Sequence, residues 1–155
     1  MGNHKSIQPG SHPRGTETLP PPIKTIVETS IYTKNLDEME AFYAGILNLR
    51  VVAREAGRHV FFMVGPGSML LIFNPDTTLH GHLLPTHGAT GPGHVALGVT
   101  AESIDAWRER LIAHGIVIEK EHTWPKGGHS IYFRDPSENS VELITPKVWG
   151  TRNGW

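Results

Sequence analysis

The 155-residue chain contains no cysteine. Disulfides, thiolate metal sites and a cysteine nucleophile are thereby excluded, and a metal here would have to use histidine and carboxylate ligands. Charge of one sign is equally scarce: 14 lysines and arginines against 15 aspartates and glutamates leave a formal balance of -1. Neither nucleic acid nor an anionic membrane surface is then recognised through bulk electrostatics. There is no run of about 18 apolar residues of the kind a membrane span requires, and the N-terminus lacks the apolar core of a secretion signal. Together these absences predict a soluble cytoplasmic protein whose partner is a small molecule.

What the chain does have is the length of one domain and ten histidines, two of them (His4 and His12) close to the N-terminus. Residues 1–22 hold five prolines and three glycines without apolar periodicity, and read as a flexible arm. Residues 23–147 read as a single domain, with module one at 24–75, a linker rich in Gly, Pro and His at 76–92, and module two at 93–147. A polar tail with two tryptophans occupies 148–155.

Module two has the clearest pattern. Strands are expected at 94–99, 117–121, 130–134 and 140–145, with a helix at 103–114. Strand alternation sets His94, Ala96 and Gly98 on one face, so the imidazole shares its surface with two very small residues. Glu142 stands between the apolar Val141 and Leu143, where a carboxylate needs a partner or a metal. Module one repeats the grammar: the strand VETSIYT, a helix LDEMEAFYAGIL opened by an Asn35/Glu38 capping box, then RVVAREA, HVFFMV and SMLLIFN. Setting Glu28 over His94 aligns the first strands, and setting His59 over His129 brings Leu70 over Glu142 after a two-residue gap. The chain is an internal duplication of about 50 residues. The expected fold class is α+β, two tandem βαβββ modules forming a curved mixed sheet with a central cleft.

Matching points of the two copies converge in such a cleft, which brings Glu28, His94 and Glu142 together. Two carboxylates and one histidine leave open coordination positions, the mark of a catalytic rather than a structural site, and favour a divalent ion such as Mn, Fe, Co, Ni, Mg or Zn. Tyr132 is expected on the same surface as a hydrogen-bond donor to an oxyanion. His87, in the linker, is a candidate acid/base group because imidazole titrates near neutrality. His80, His59, His129 and Lys126 are candidates to line the cleft or reach an anionic substrate group. Met39, Phe42, Trp107 and Leu111, at helical spacing, are expected in the core.

The motifs YTKNLDEMEAFYAGILNLRVV, GHVALGV and GGHSIYFRDPSENSVELITP resemble the vicinal oxygen chelate superfamily: glyoxalase I, fosfomycin and bleomycin resistance proteins, methylmalonyl-CoA epimerase and extradiol dioxygenases. The resemblance covers about residues 24–147. It implies paired modules, a homodimer and a divalent ion held where His94 and Glu142 stand. It further implies an enzyme, of lyase/isomerase type or a ring-cleaving dioxygenase, that chelates its substrate through vicinal oxygens and stabilises an enolate-like oxyanion. The alternative is a metal-free drug-binding resistance protein, against which the Glu, His, Glu set argues. Three departures stand out. Glu28 replaces the more usual His or Gln, Leu70 replaces the carboxylate of glyoxalase I and argues against methylglyoxal chemistry, and Glu138 stands where dioxygenases have Gly or Pro.

Overall fold

A computed structural model describes residues 19–80 and 84–150, so most of the N-terminal arm and most of the C-terminal tail lie outside the described residues. In module one β1 (Glu28–Tyr32) is followed by α1 (Leu36–Glu40), β2 (Arg50–Glu55), β3 (His59–Gly65) and β4 (Ser68–Phe73). A short α2 (Pro75–Thr78), capped by the Asn74 side chain, opens the linker. Module two runs β5 (His94–Gly98), α3 (Ile104–Ala113), β6 (Lys120–Thr123), β7 (His129–Arg134) and β8 (Ser140–Ile144).

The two modules have one topology. Each forms a four-stranded mixed sheet, in the orders β1-β4-β3-β2 and β5-β8-β7-β6. The module's first strand runs parallel to its last, and the other neighbours are antiparallel. This is the expected two-module α+β fold, built as two sheet halves with helices between them.

Alternation decides what each sheet buries. Ile31, Val60, Phe62, Leu70 and Ile72 from the first sheet and Val95, Leu97, Ile131, Phe133, Val141 and Leu143 from the second enter one cluster with Met39, Phe42, Tyr43 and Leu111. The segment after α1 bridges the sheets because it winds as a π-helix over Ala41–Ile46, closed by a Leu47 N–H to Phe42 carbonyl bond of 3.2 Å. The wider turn points two consecutive residues inward. Phe42 meets Phe133 of the second sheet at 6.2 Å between centroids, and Tyr43 meets Phe62 of the first at 5.7 Å. The expected capping box is not formed: Asn35 makes no side-chain cap bond, and its amide donates to Thr33 Oγ1 at 2.9 Å.

Candidate functional site

The outer face of the second sheet carries the polar cluster. In the β5–β8 register Ala96 lies opposite Glu142 and His94 opposite Ser140, so the imidazole and the carboxylate are diagonal neighbours on one surface. His94 Nε2 is 3.4 Å from Glu142 Oε2, and the Tyr132 hydroxyl donates to Glu142 Oε1 at 2.7 Å. The glutamate is only 5% exposed, whereas 51% of the His94 side chain is open to solvent. Burial, followed by the bond to Glu142, raises the Tyr132 pKa; the Ser130 hydroxyl beside it works the other way. Ser130, fully buried, accepts a bond from Trp124 Nε1 at 2.8 Å.

The turn between β7 and β8 sets this register. Asp135, itself buried, accepts from the amides of Ser137 and Asn139 at 2.9 and 3.0 Å and from the Tyr43 hydroxyl at 3.0 Å. The phenol, buried and facing this carboxylate, is held well above its ordinary pKa, with burial the larger cause. Asn139 Oδ1 in turn accepts from the Gly93 amide at 2.6 Å, and the Ser140 amide donates to the Gly93 carbonyl at 2.9 Å. One turn thus fixes where β5 starts, and with it the position of His94. Glu138 in this turn adopts a φ of 63°, the left-handed region where glycine is at ease.

The imidazole is oriented for ligation. Its Nδ1 lies 3.1 Å from the Ser140 carbonyl oxygen, which can only accept, so Nδ1 carries the hydrogen. In the neutral ring Nε2 then presents a lone pair to Glu142 Oε2. Two acceptors face each other, an arrangement that a proton or a cation between them relieves. His94 Nε2 and Glu142 Oε2 are the atoms here that could hold a divalent ion, with the Ser140 carbonyl in the place of the outer partner that fixes a ligating histidine's tautomer.

Glu28 is not part of this cluster. It lies on the outer face of the first sheet with Ser30 and Tyr32, in a cavity of about 630 Å³ walled by His59, Phe61, Leu71, Phe73 and His87. Among the described residues no three histidines, aspartates or glutamates come close enough to hold an ion. His87 Nδ1 bonds the Tyr32 hydroxyl at 2.8 Å, and burial raises the Tyr32 pKa. His59 stacks on Phe61 at 4.1 Å; burial lowers its pKa, outweighing the nearby Glu55 carboxylate. Tyr32, Phe61 and Phe73 went unnoticed as cavity residues in the sequence, although stepping by two from Glu28 along β1 reaches Tyr32.

Two expectations need correction. Leu71 pairs with Phe61 as Glu142 pairs with Tyr132, so Leu71, not Leu70, is the counterpart of Glu142, and His59 matches Ser130 rather than His129. The position remains apolar, and Leu70 belongs to the core. His129 lies on the face opposite Tyr132, turned towards α3: its Nε2 is 2.7 Å from Glu121 Oε2, and Arg108 holds the same carboxylate at 2.8 Å. These partners pull the Glu121 pKa down to about 2, Arg108 being the main cause. His80 is exposed and bonds the Asp76 carbonyl at 2.9 Å, and Lys126 is exposed in the turn between β6 and β7.

The family model described as the Glyoxalase/Bleomycin resistance protein/Dioxygenase superfamily matches residues 25–143. Among solved structures, a lactoylglutathione lyase from Agrobacterium tumefaciens superposes with a TM-score of 0.80 at 39% identity, over 84% of this chain and 99% of that one. A glyoxalase/bleomycin resistance protein/dioxygenase from Nocardioides gives 0.65 at 25% identity, covering 90% and 92%. A fosfomycin resistance protein from Listeria monocytogenes gives 0.59 at 24% identity, covering 84% and 97%, and shares the fold. No curated protein matches the chain.

Proposed function

The chain belongs to the glyoxalase/bleomycin resistance protein/dioxygenase superfamily, and from that premise we propose that it is a divalent-metal-dependent enzyme of lyase or isomerase type acting on a small substrate with two adjacent oxygens. The observation that carries the reading is His94 Nε2 standing 3.4 Å from a buried carboxylate that Tyr132 also holds. His94 and Glu142 are assigned as ligands. Glu28 is assigned as the third, supplied by a second copy of the chain, since the outer faces of the two sheets both turn away from the shared core. A bound divalent ion supplies Lewis acidity that favours enolate-like negative charge on the two substrate oxygens.

The side chains supply the rest. Tyr132 holds Glu142 in place and is within reach of an oxyanion beside it. Leu71 offers no carboxylate to move a proton, so that task falls to imidazole: His87 and His59 both line the cavity beside Glu28, and an imidazole nitrogen can accept a proton or give one up. The similarity to a lactoylglutathione lyase supports lyase or isomerase chemistry over ring cleavage.

Metal analysis of protein purified without added ions is the test. One ion per chain, lost in Glu142→Ala with the fold intact by circular dichroism, is expected. A protein that stays metal-free after incubation with Mn, Co, Ni or Zn would instead be the metal-free binder.

A further inference from the structure

The duplication permits an internal comparison. Strand register matches Tyr32 to Gly98, Phe61 to Tyr132, Leu71 to Glu142 and Phe73 to Ile144. At four matched outward-facing positions the second module holds a glycine, a tyrosine, a carboxylate and an isoleucine, whereas the first holds three aromatic rings and a leucine. The modules have one topology, so fold maintenance does not demand this difference. At these positions the first sheet's face is the more aromatic of the two, with Glu28, Ser30 and Arg58 at the same cavity.

The aromatic half is a built cavity rather than a bare surface. Phe61 and Phe73 pack edge to face at 5.0 Å and 71°. His59 lies flat on Phe61 at 4.1 Å and 14°, and His87 sets its edge against Phe73 at 4.8 Å and 76°. The Tyr32 hydroxyl and His87 Nδ1 satisfy each other at 2.8 Å. Rings fixed in this way present π faces and edges around a volume of about 630 Å³, within the range of small-molecule sites. Flat aromatic groups gain from offset and edge-to-face contacts with such walls beyond what their buried area gives. A saturated group of the same size does not.

We propose that this cavity binds a flat aromatic group, so that the substrate carries a planar apolar body on one side of its paired oxygens. The substrate part of this rests on the metal-dependent reading above; the cavity's preference for an aromatic ring does not, and can be tested without metal. Calorimetric titration of metal-free full-length protein with 2-naphthol and with decahydro-2-naphthol, its saturated counterpart, separates the two. The expected result is about tenfold tighter binding of 2-naphthol, weakened by at least about tenfold in Leu71→Trp, whose indole fills the cavity. Phe61→Leu, which removes a ring and keeps an apolar side chain, is expected to erase the preference, and it serves as the second variant if Leu71→Trp fails to fold. Failure of 2-naphthol to bind, equal binding of the saturated compound, or indifference to both substitutions overturns the proposal, as it would if a partner copy's side chain filled the cavity. A parallel Ni(II) titration of the unmodified protein reports on the metal reading. Should nickel fail to bind while the naphthol preference holds, the metal reading falls and the aromatic site stands.

Discussion

His59 carries a conflict that can be measured. Its Nδ1 is buried with no hydrogen-bond partner among the described residues, and Glu55 Oε2 is 3.7 Å away, too far to satisfy it. Burial lowers the pKa, so the folded state prefers the neutral ring. The sign follows from linkage. Above the ordinary imidazole value near 6.5 both states are neutral and folding is unaffected; below it the unfolded chain takes up the proton first, and the fold loses stability as pH falls until the folded ring protonates too. Urea unfolding at pH 7.5 and 5.5 should therefore show a larger acid loss in the parent protein than in His59→Phe, and equal losses would contradict a buried neutral ring. His59 also shows where sequence reading slips. Two histidines at the head of two strands invited their alignment, which then required a gap. Aligning Phe61 with Tyr132 needs none, because each lies ten residues before its β4 or β8 counterpart. Identity of residue type misled where spacing was sufficient.

Among the elements, strands were legible and the devices joining them were not. Alternation found His94, Glu142 and Tyr132 on one surface because a period of two leaves little freedom once one face is apolar. It could not show that α1 continues as a π-helix, or that Phe42 and Tyr43 there meet rings of different sheets. Nor could it show that the Asp135–Asn139 turn clamps the start of β5. Asn139 is 1% exposed, with its amide nitrogen on Asp135 and its carbonyl on the Gly93 amide. Replacing it by alanine leaves the Gly93 amide without its acceptor and takes one donor from Asp135. Asn139→Ala is expected to cost about 1–3 kcal/mol in urea unfolding, and to weaken divalent-ion binding through the loosened β5 although it touches no ligand. Ion affinity unchanged at that loss of stability would show that the clamp serves the fold alone.

For the whole molecule the governing fact is layering. Both sheets bury their inner faces against the same cluster around α1 and α3, which turns the Glu28 face and the His94 face outward and away from each other. β1 and β5 each lie at an edge of their sheet with one hydrogen-bonded neighbour. The proposed ligand set draws on both faces and so requires two copies. Mixed dimers test this directly. Glu28→Ala removes the first-sheet ligand and Glu142→Ala the second-sheet ligand, so neither variant alone should hold an ion at the parent affinity. If sites form between copies, a dimer of one of each variant contains one site with all its ligands and one with neither glutamate. Unfolding and refolding an equal mixture makes about half the dimers mixed, so ion binding should return to about a quarter of the parent sites. If instead each chain completed its own site, every site in the mixture would lack one glutamate and no recovery would follow, which would rule out assembly across the interface.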